Sequence, residues 1–392
     1  MKQEIKNKID NYIEYLLKNS TIEKPIWNQE VLIGLKKPGW TYIDGCMMVA
    51  LDKLYQHNKD ENLFNYIESF FSPLVKDDGS VDLYFYNNYN TYTTTGYDSD
   101  TCNMAKVLFT LYEKTNNEKY RRSIDFFMNE QLRKIPRIRG NFWHKIKYYN
   151  QIWLDGLYMI LPFYAMYIKK YEDSMGFYDI VYQLENAGEL TWDEARSLNV
   201  HGYDGQYIDK DKIMPWANPT NGKSSVVWLR ANGWYIMALV DVYEIIDDSI
   251  LKNTIKNRII KVINGLLKYI DNDSHMFYQV VDEGSREGNY LETSGSLMIA
   301  YSILKACRLN VLDSSYKQTG LDIFYGTIDK YFYFNDGHYN LGGICLGAGL
   351  SANREDKNAG SYQMYIDRAV VENDGKGISP LILAYVEVLK AE

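Results

Sequence analysis

The amino-acid sequence predicts an all-α fold, an (α/α)6 barrel in which six helical hairpins close into a ring with long loops on one rim. Three observations lead to this prediction. Helical periodicity of the apolar residues recurs along the whole 392-residue chain. The candidate helices number twelve, which is enough for six hairpins. The connections between them alternate between very short turns and long irregular segments.

The first predicted helix begins at the N-terminus, where Ile5, Ile9, Ile13 and Leu16 recur at the spacing of one helical face. No long polar, Pro-rich or Gly-rich linker divides the chain, so we expect one domain over residues 1–392. The same periodicity places the twelve helices near residues 2–19, 41–57, 60–72, 99–116, 117–133, 155–170, 172–188, 230–247, 249–270, 292–309, 314–331 and 377–390.

The connections between helices indicate where function lies. Residues 115–118 and 247–249 form very short turns. Long irregular loops in a compact domain usually carry function, so we expect the functional site on the rim that holds them. An open helical solenoid is the alternative, but the hairpins share no repeat signature. The long connections, rich in Gly, Asn, Tyr and Trp, are residues 73–98, 134–154, 189–229, 271–291 and 332–376.

Composition narrows the class of partner. A net charge of -8 argues against nucleic acid, and no apolar run approaches the roughly 20 residues of a membrane span. The N-terminus lacks the apolar stretch of a signal peptide, which predicts a cytoplasmic protein. Cys46, Cys102, Cys307 and Cys345 lie far apart without a C-x-x-C pair, so we expect reduced thiols and no metal site. The 36 Tyr and 8 Trp suit either sugar stacking or an aromatic core.

Acidic residues stand at the starts of two predicted helices. Asp98 and Asp100 lead into the helix near 99–116, and Asp155 begins the helix near 155–170, just after Trp153. Such residues can cap a helix or act as acids and bases. The helix N-terminus favours an ionised Asp155, whereas a wall of aromatic rings would raise its pKa. The sequence leaves both questions open.

A cation between tryptophans is the second candidate feature. Arg230 and Trp234 share one helical face, and Trp228 comes just before it. Arg can bind a carboxylate with two hydrogen bonds while aromatic rings cover a sugar face. The alternative is an Arg that bridges helix ends. The segments around Glu292 and Glu372 are more typical of architecture than of catalysis.

Taken together, these segments resemble the unsaturated rhamnogalacturonyl hydrolases of glycoside hydrolase family 105. The resemblance covers most of the chain and implies an (α/α)6 barrel, no metal and no cofactor. The implied substrate is a small oligosaccharide that ends in a 4,5-unsaturated uronic acid, most typically unsaturated galacturonic acid linked to rhamnose. The matching motifs are F-W-H-K, W-L-D-G-L-Y-M, H-x-Y-D, M-P-W-A-N-P, W-x-R-x-x-G-W, E-T-S-G-S and V-E-N-D-G-K-G.

The resemblance also implies roles for individual residues. Asp155 would protonate C4 of the unsaturated ring and then assist water in attacking C5. Arg230, with its two tryptophans, would hold the uronate. Tyr203 departs from the pattern, since the family has Trp in this H-x-W-D segment, which puts the leaving-sugar preference in doubt. The expected substrate-binding residues are Tyr42, Asp100, His144, Lys145, Trp153, His201, Trp228, Arg230 and Trp234.

Three other functions remain open at this level. An unsaturated glucuronyl hydrolase would use the same chemistry on glycosaminoglycan or algal fragments. A sugar epimerase can use the same barrel but depends on histidine acid–base pairs, and only His144 and His201 lie near the candidate segments. A non-catalytic sugar-binding protein would bind without turnover. The sequence does not predict an oligomeric state.

Overall fold

Helices form most of the protein. The computed structural model describes residues 3–86, 92–94 and 96–391. Within these residues, no helix combines the length and apolar character that a membrane crossing requires. The helices are α1 (Gln3–Lys18), α2 (Gln29–Leu32), α3 (Tyr42–Asn58), α4 (Glu61–Phe71), α5 (Thr101–Ala105), α6 (Leu108–Thr115), α7 (Glu118–Phe126), α8 (Leu154–Tyr171), α9 (Gly176–Thr191), α10 (Leu229–Ile245), α11 (Ser249–Leu266), α12 (Thr293–Arg308), α13 (Tyr316–Tyr331), α14 (Tyr362–Ile366) and α15 (Gly375–Lys390).

Short strands lie in the long loops and pair antiparallel. The β5–β8 pair matters most for the site, because Trp153 stands opposite Gly202 and so ties the loop before α8 to the loop after α9. The strands are β1 (Phe85–Tyr86), β2 (Tyr92–Thr93), β3 (Arg137–Ile138), β4 (Asn141–Phe142), β5 (Gln151–Trp153), β6 (Trp192–Asp193), β7 (Leu198–Asn199), β8 (Gly202–Asp204), β9 (Phe332–Asn335), β10 (His338–Leu341), β11 (Ile344–Cys345) and β12 (Val370–Val371).

Six helices form a closed inner ring in the order α3, α5, α8, α10, α12 and α15, and α15 packs back against α3. Outside it, α4, α9, α11 and α13 each pack on an inner helix, and α7 packs on α6, the helix that follows α5. The remaining outer helix is α1, whose Asp10 accepts a hydrogen bond from Tyr385 of α15. Because the ring closes, the open solenoid is excluded and the predicted (α/α)6 barrel is confirmed.

The predicted helix near 99–116 is in fact two helices, α5 and α6. At the break, the backbone N–H groups of Lys106 and Val107 bond carbonyls three residues back, which tightens the turn. The buried Lys106 ammonium donates to Asn103 and to the Tyr158 carbonyl, each at 2.8 Å. The break thus coincides with a contact between Lys106 and α8, and helical periodicity does not report such a contact.

All six inner helices begin on the long-loop rim. Each start lies close to a residue that the sequence singles out, so the ring brings distant segments to one place. By contrast, the short turns lie at the far rim. The starting residues are Tyr42, Thr101, Leu154, Leu229, Thr293 and Gly375.

Candidate active site

A cavity opens at the long-loop rim and encloses about 860 Å³, counting the solvent at its mouth. It brings together nine of the ten residues predicted for the site. The tenth, His201, lies directly behind Asp155. The lining residues are Glu30, Tyr42, Asp100, His144, Lys145, Tyr148, Trp153, Asp155, Met159, Trp228, Arg230, Trp234, Leu346, Gly347, Ala348, Gly349, Leu350, Arg368 and Lys376.

Asp155 is the second residue of α8 and does not cap the helix. Its carboxylate Oδ2 lies 3.0 Å from Nε2 of His201, and its side chain is 14% exposed. Burial raises the pKa of Asp155, but the charge and the hydrogen bond of His201 lower it by more. The net shift is downward. The sequence left open whether Asp155 is ionised. The lowered pKa favours the carboxylate anion when no substrate is bound.

A tyrosine completes this chain of groups. Nδ1 of His201 lies 2.6 Å from the hydroxyl of Tyr365, which is fully buried on α14. Burial raises the pKa of Tyr365 well above its ordinary value, so it stays a phenol. A phenol can donate to a neutral imidazole or accept from an imidazolium. Sequence reasoning missed Tyr365 because it lies in the long loop 332–376, outside every motif.

An ion pair forms the opposite wall of the cavity. The Lys145 ammonium donates to Asp100 and lies 3.6 Å from Asp98. Burial lowers the pKa of Lys145, but the charges of Asp100 and Asp98 raise it to a net increase. Burial also raises the pKa of Asp98 to about 6, against the charge of Lys145. Asp100 stands at the N-cap position of α5 without capping it, so its carboxylate is directed to the pocket lysine.

Aromatic rings form two further walls. His144 stacks on Trp153 with ring centroids 4.5 Å apart, and Tyr148 lies 4.2 Å from the same indole. Burial, followed by the charge of Lys145, holds the pKa of His144 well below its ordinary value. This imidazole is therefore neutral. Trp234 stacks on a tyrosine of α8 at 4.9 Å. These walls fit the flat faces of a sugar ring.

Arg230 is almost fully buried at the start of α10 and lines the cavity. Its Nε donates to Ser294 at 2.8 Å, and one amino group contacts Glu292 and the Cys345 carbonyl. Glu292 in turn caps α12. Arg230 therefore bridges the starts of two inner helices and also faces the pocket beside Trp228, so both interpretations of this residue are compatible with the structure.

Lys376 is a cavity residue that the sequence interpretation missed. Asp374 caps α15, as expected of an architectural turn. The buried Lys376 ammonium, however, lies 3.0 Å from Glu30 and 3.1 Å from Asp374. A cation in the first turn of a helix is unfavourable because it opposes the helix dipole. This unusual position of Lys376 could have identified it from the sequence as a candidate site residue. Among the described residues, no group of three or more His, Cys, Asp or Glu could hold a metal ion.

Comparisons with known proteins place the chain in a family. The family described as Glycosyl Hydrolase Family 88 matches residues 11–392. The chain belongs to this family and is a glycoside hydrolase. It is also similar to a family 105 glycoside hydrolase of C. acetobutylicum ATCC 824, at 35% identity over 98% of this chain and 99% of that one, with a TM-score of 0.84. The resemblance to family 105 is thus confirmed.

Two further relatives extend the comparison. Protein Atu3128 of Agrobacterium fabrum is 34% identical over 216 residues, which are 54% of this chain and 90% of that protein. An unsaturated glucuronyl hydrolase specific for heparin has a TM-score of 0.69 at 12% identity, covering 99% of this chain and 96% of that one. At this identity, the second relative shows a shared fold alone.

Proposed function

We propose that the protein removes a terminal 4,5-unsaturated uronic acid from a small oligosaccharide by adding water to the ring double bond. The observation that carries this proposal is the Asp155–His201 pair, held at 3.0 Å at the wall of an aromatic and cationic cavity. The whole-length similarity to a family 105 hydrolase supports the same reaction. Unsaturated galacturonic acid linked to rhamnose is the substrate that we propose first.

The cavity is suited to an anionic sugar. Its cations are Lys145, Arg230, Arg368 and Lys376. The starts of the inner helices add partial positive charge at the same rim. The local field therefore favours a carboxylate, although the chain carries a net charge of -8. A uronate ring matches both properties of the cavity, since its carboxylate would face the cations and its ring would lie against the indole walls.

The proposed reaction begins with one proton shared by Asp155 and His201. The uronate carboxylate brings negative charge beside Asp155, which raises the pKa of that carboxyl and favours transfer of the proton from His201 to Asp155. Asp155 then protonates C4, and the ring oxygen stabilises the positive charge at C5. Water adds to C5 and returns a proton to the Asp155–His201 pair. The resulting hemiketal opens, and the neighbouring sugar leaves.

This scheme needs one acid–base pair and no nucleophile at the anomeric carbon. The spacing rule for the two carboxylates of retaining and inverting glycosidases therefore does not apply. Asp100 supports this view, because its carboxylate is paired with Lys145. Paired in this way, Asp100 would contact the sugar or a water molecule bound to it.

An unsaturated glucuronyl hydrolase is the second candidate function, since the heparin-specific enzyme of that class shares the fold. The test is to incubate purified protein with unsaturated galacturonyl-rhamnose, with unsaturated glucuronyl disaccharides, and with saturated galacturonyl-rhamnose as the control. We expect the ultraviolet absorbance of the conjugated double bond to decay with the first substrate. Decay only with the glucuronides would change the substrate, and no decay with either class would overturn the proposal.

A further inference from the structure

The E-T-S-G-S segment at the start of α12 contacts a cation of the active-site cavity. Its Glu292 and Ser294 are fully buried. Nε of Arg230 donates to Oγ of Ser294 at 2.8 Å, and Nη2 of Arg230 lies 3.4 Å from Oε1 of Glu292. Nη2 also donates to the carbonyl of Cys345. The side of the guanidinium that runs from Nε to Nη2 is therefore held by the protein.

The other amino group of Arg230 remains for a ligand. Within the residues that the structure describes, Nη1 has no hydrogen-bond partner, yet it keeps some accessible surface. Because Arg230 lines the active-site cavity, Nη1 is the nitrogen that a ligand there can reach. A carboxylate cannot use the Nε–Nη2 side as a two-bond fork, since both nitrogens already bond the protein, and so it binds through Nη1.

The hydroxyl of Ser294 fixes the direction of this guanidinium. A hydroxyl has one proton to donate. Oγ of Ser294 accepts from Nε of Arg230, so its own proton is directed to the Glu292 carboxylate, whose two oxygens lie at 2.7 and 2.9 Å. Ser294 thus connects the cation to a buried carboxylate. An alanine at this position would leave Nε of Arg230 buried without a partner, which is costly.

Glu292 shares its charge with the start of α12 and not with Arg230 alone. Its Oε2 accepts from the backbone N–H of Gly295 at 2.8 Å, and its Oε1 accepts from the backbone N–H of Cys345 at 3.1 Å. Both bonds are shorter than its contact with Arg230, and the helix N-terminus stabilises the carboxylate. The guanidinium therefore keeps much of its charge for an anion in the cavity.

We propose that Glu292 and Ser294 are positioning residues for the uronate: they hold Nε and Nη2 of Arg230 so that Nη1 binds the substrate carboxylate. The inference rests on the proposed function, because the cavity must hold the unsaturated uronic acid. Both residues act through Arg230. The segment that is more typical of architecture in the sequence then also determines how strongly the enzyme prefers an acid to a neutral sugar.

The test compares two ligands that differ in one charge, saturated galacturonyl-rhamnose and its primary amide at the galacturonic acid. Each is measured as a competitive inhibitor of whichever unsaturated disaccharide the wild type consumes. We expect the wild type to bind the acid at least about tenfold more tightly than the amide. Ser294→Ala should reduce this ratio about tenfold and raise KM for the unsaturated substrate, with kcat within about threefold.

Further variants assign the effect to the contact with Arg230. Ser294→Thr, which keeps the hydroxyl, should keep the ratio. Ser296→Ala is the matched control, because Ser296 is equally buried but its hydroxyl bonds the backbone of Glu292 and Phe277. Both inhibition constants come from the same folded population, so their ratio does not depend on how much of a variant folds.

An unchanged ratio in Ser294→Ala, or a wild type that binds acid and amide equally, would overturn this inference and leave the proposed function intact. An equal loss of the ratio in Ser296→Ala would also overturn it, because the effect would then not depend on contact with Arg230. No consumption of any unsaturated uronide by the wild type would overturn both the inference and the proposed function.

Discussion

The contact between Asp155 and His201 governs the chemistry at the scale of single residues. His201 is fully buried, and its two ring nitrogens contact Asp155 and Tyr365. The imidazole can therefore hold a proton for the carboxylate without contacting the sugar. Sequence patterns identified Asp155 and His201 but not the hydrogen bond between them, because 46 positions separate the two residues.

Replacing His201 should change the shape of the pH profile. In His201→Asn, the charge and hydrogen bond that lower the pKa of Asp155 are lost, so Asp155 must carry the proton alone. We expect kcat near pH 7 to fall about 100-fold and the residual activity to rise steadily as the pH is lowered. The check is kcat/KM between pH 4 and 9. A variant profile with the shape of the wild type would contradict the shared proton.

Replacing Tyr365 should affect turnover more than binding. Tyr365→Phe removes the hydroxyl at 2.6 Å from His201, and a hydrogen bond to a charged group contributes about 1.5–3 kcal/mol. We expect kcat to fall at least tenfold, with KM within twofold and a displaced pH profile. Tyr362→Phe is the matched control, because Tyr362 lies on the same short helix and its hydroxyl donates to the backbone carbonyls of Arg286 and Glu287. Equal effects of the two variants would assign Tyr365 a structural role.

The starts of the inner helices explain the site at the scale of secondary structure. Periodicity predicted the barrel helices, and the alternation of loop lengths predicted the functional rim, because both are local properties of the chain. The break at Lys106 and the burial of Lys376 were not predicted, since each depends on contacts with other helices. Near the site, α12 and α10 approach each other closely at Gly295, which lies in the first turn of α12. A Cβ atom at this position would overlap the side chain of Leu229 on α10.

Filling Gly295 should disturb both stability and binding. In Gly295→Ala, the new methyl group would overlap the side chain of Leu229 and lie 3.2 Å from the backbone nitrogen of Arg230. Overpacking costs about 1–3 kcal/mol and outweighs the roughly 1 kcal/mol that Ala gains in a helix. We expect a lower unfolding free energy in urea and a higher KM. Gly320 lies on the outer helix α13, and a methyl group there would lie 2.9 Å from the side chain of Leu304 on α12. Gly320→Ala should therefore lower the unfolding free energy without raising KM.

At the scale of the whole molecule, the two ends of the barrel differ in role: one holds the candidate site and the other holds a stabilising charge network. The long-loop rim holds the site. The opposite end holds a charge network in which the buried Lys305 contacts the buried Asp241 and the more exposed Glu244. Asp241 lies eleven residues beyond Arg230 on α10, roughly 16 Å along the helix axis. Stability and catalysis should therefore be separable. A single domain over 1–392 and a cytoplasmic location stay predictions.

Removing the central lysine of this network should test that separation. Lys305→Met leaves Asp241 buried without its cation, which costs about 3–5 kcal/mol, while kcat/KM should stay within twofold. Burial raises the pKa of Glu244, but Lys305 and then Arg308 lower it to a net decrease. The stability from that shift is present above about pH 4.5 and is lost as the pH falls. The difference in unfolding free energy should therefore shrink below pH 4.5, and a constant difference would contradict this origin.

The most direct measurement follows double-bond absorbance and released rhamnose together, for the wild type and for Asp155→Asn, with unsaturated galacturonyl-rhamnose. Addition of water to the double bond predicts that both signals change with one rate constant in the wild type. Asp155→Asn should bind the disaccharide within a few fold by calorimetry and turn over at least about 100-fold more slowly. Rhamnose released while the absorbance persists, or wild-type turnover by the variant, would contradict the mechanism.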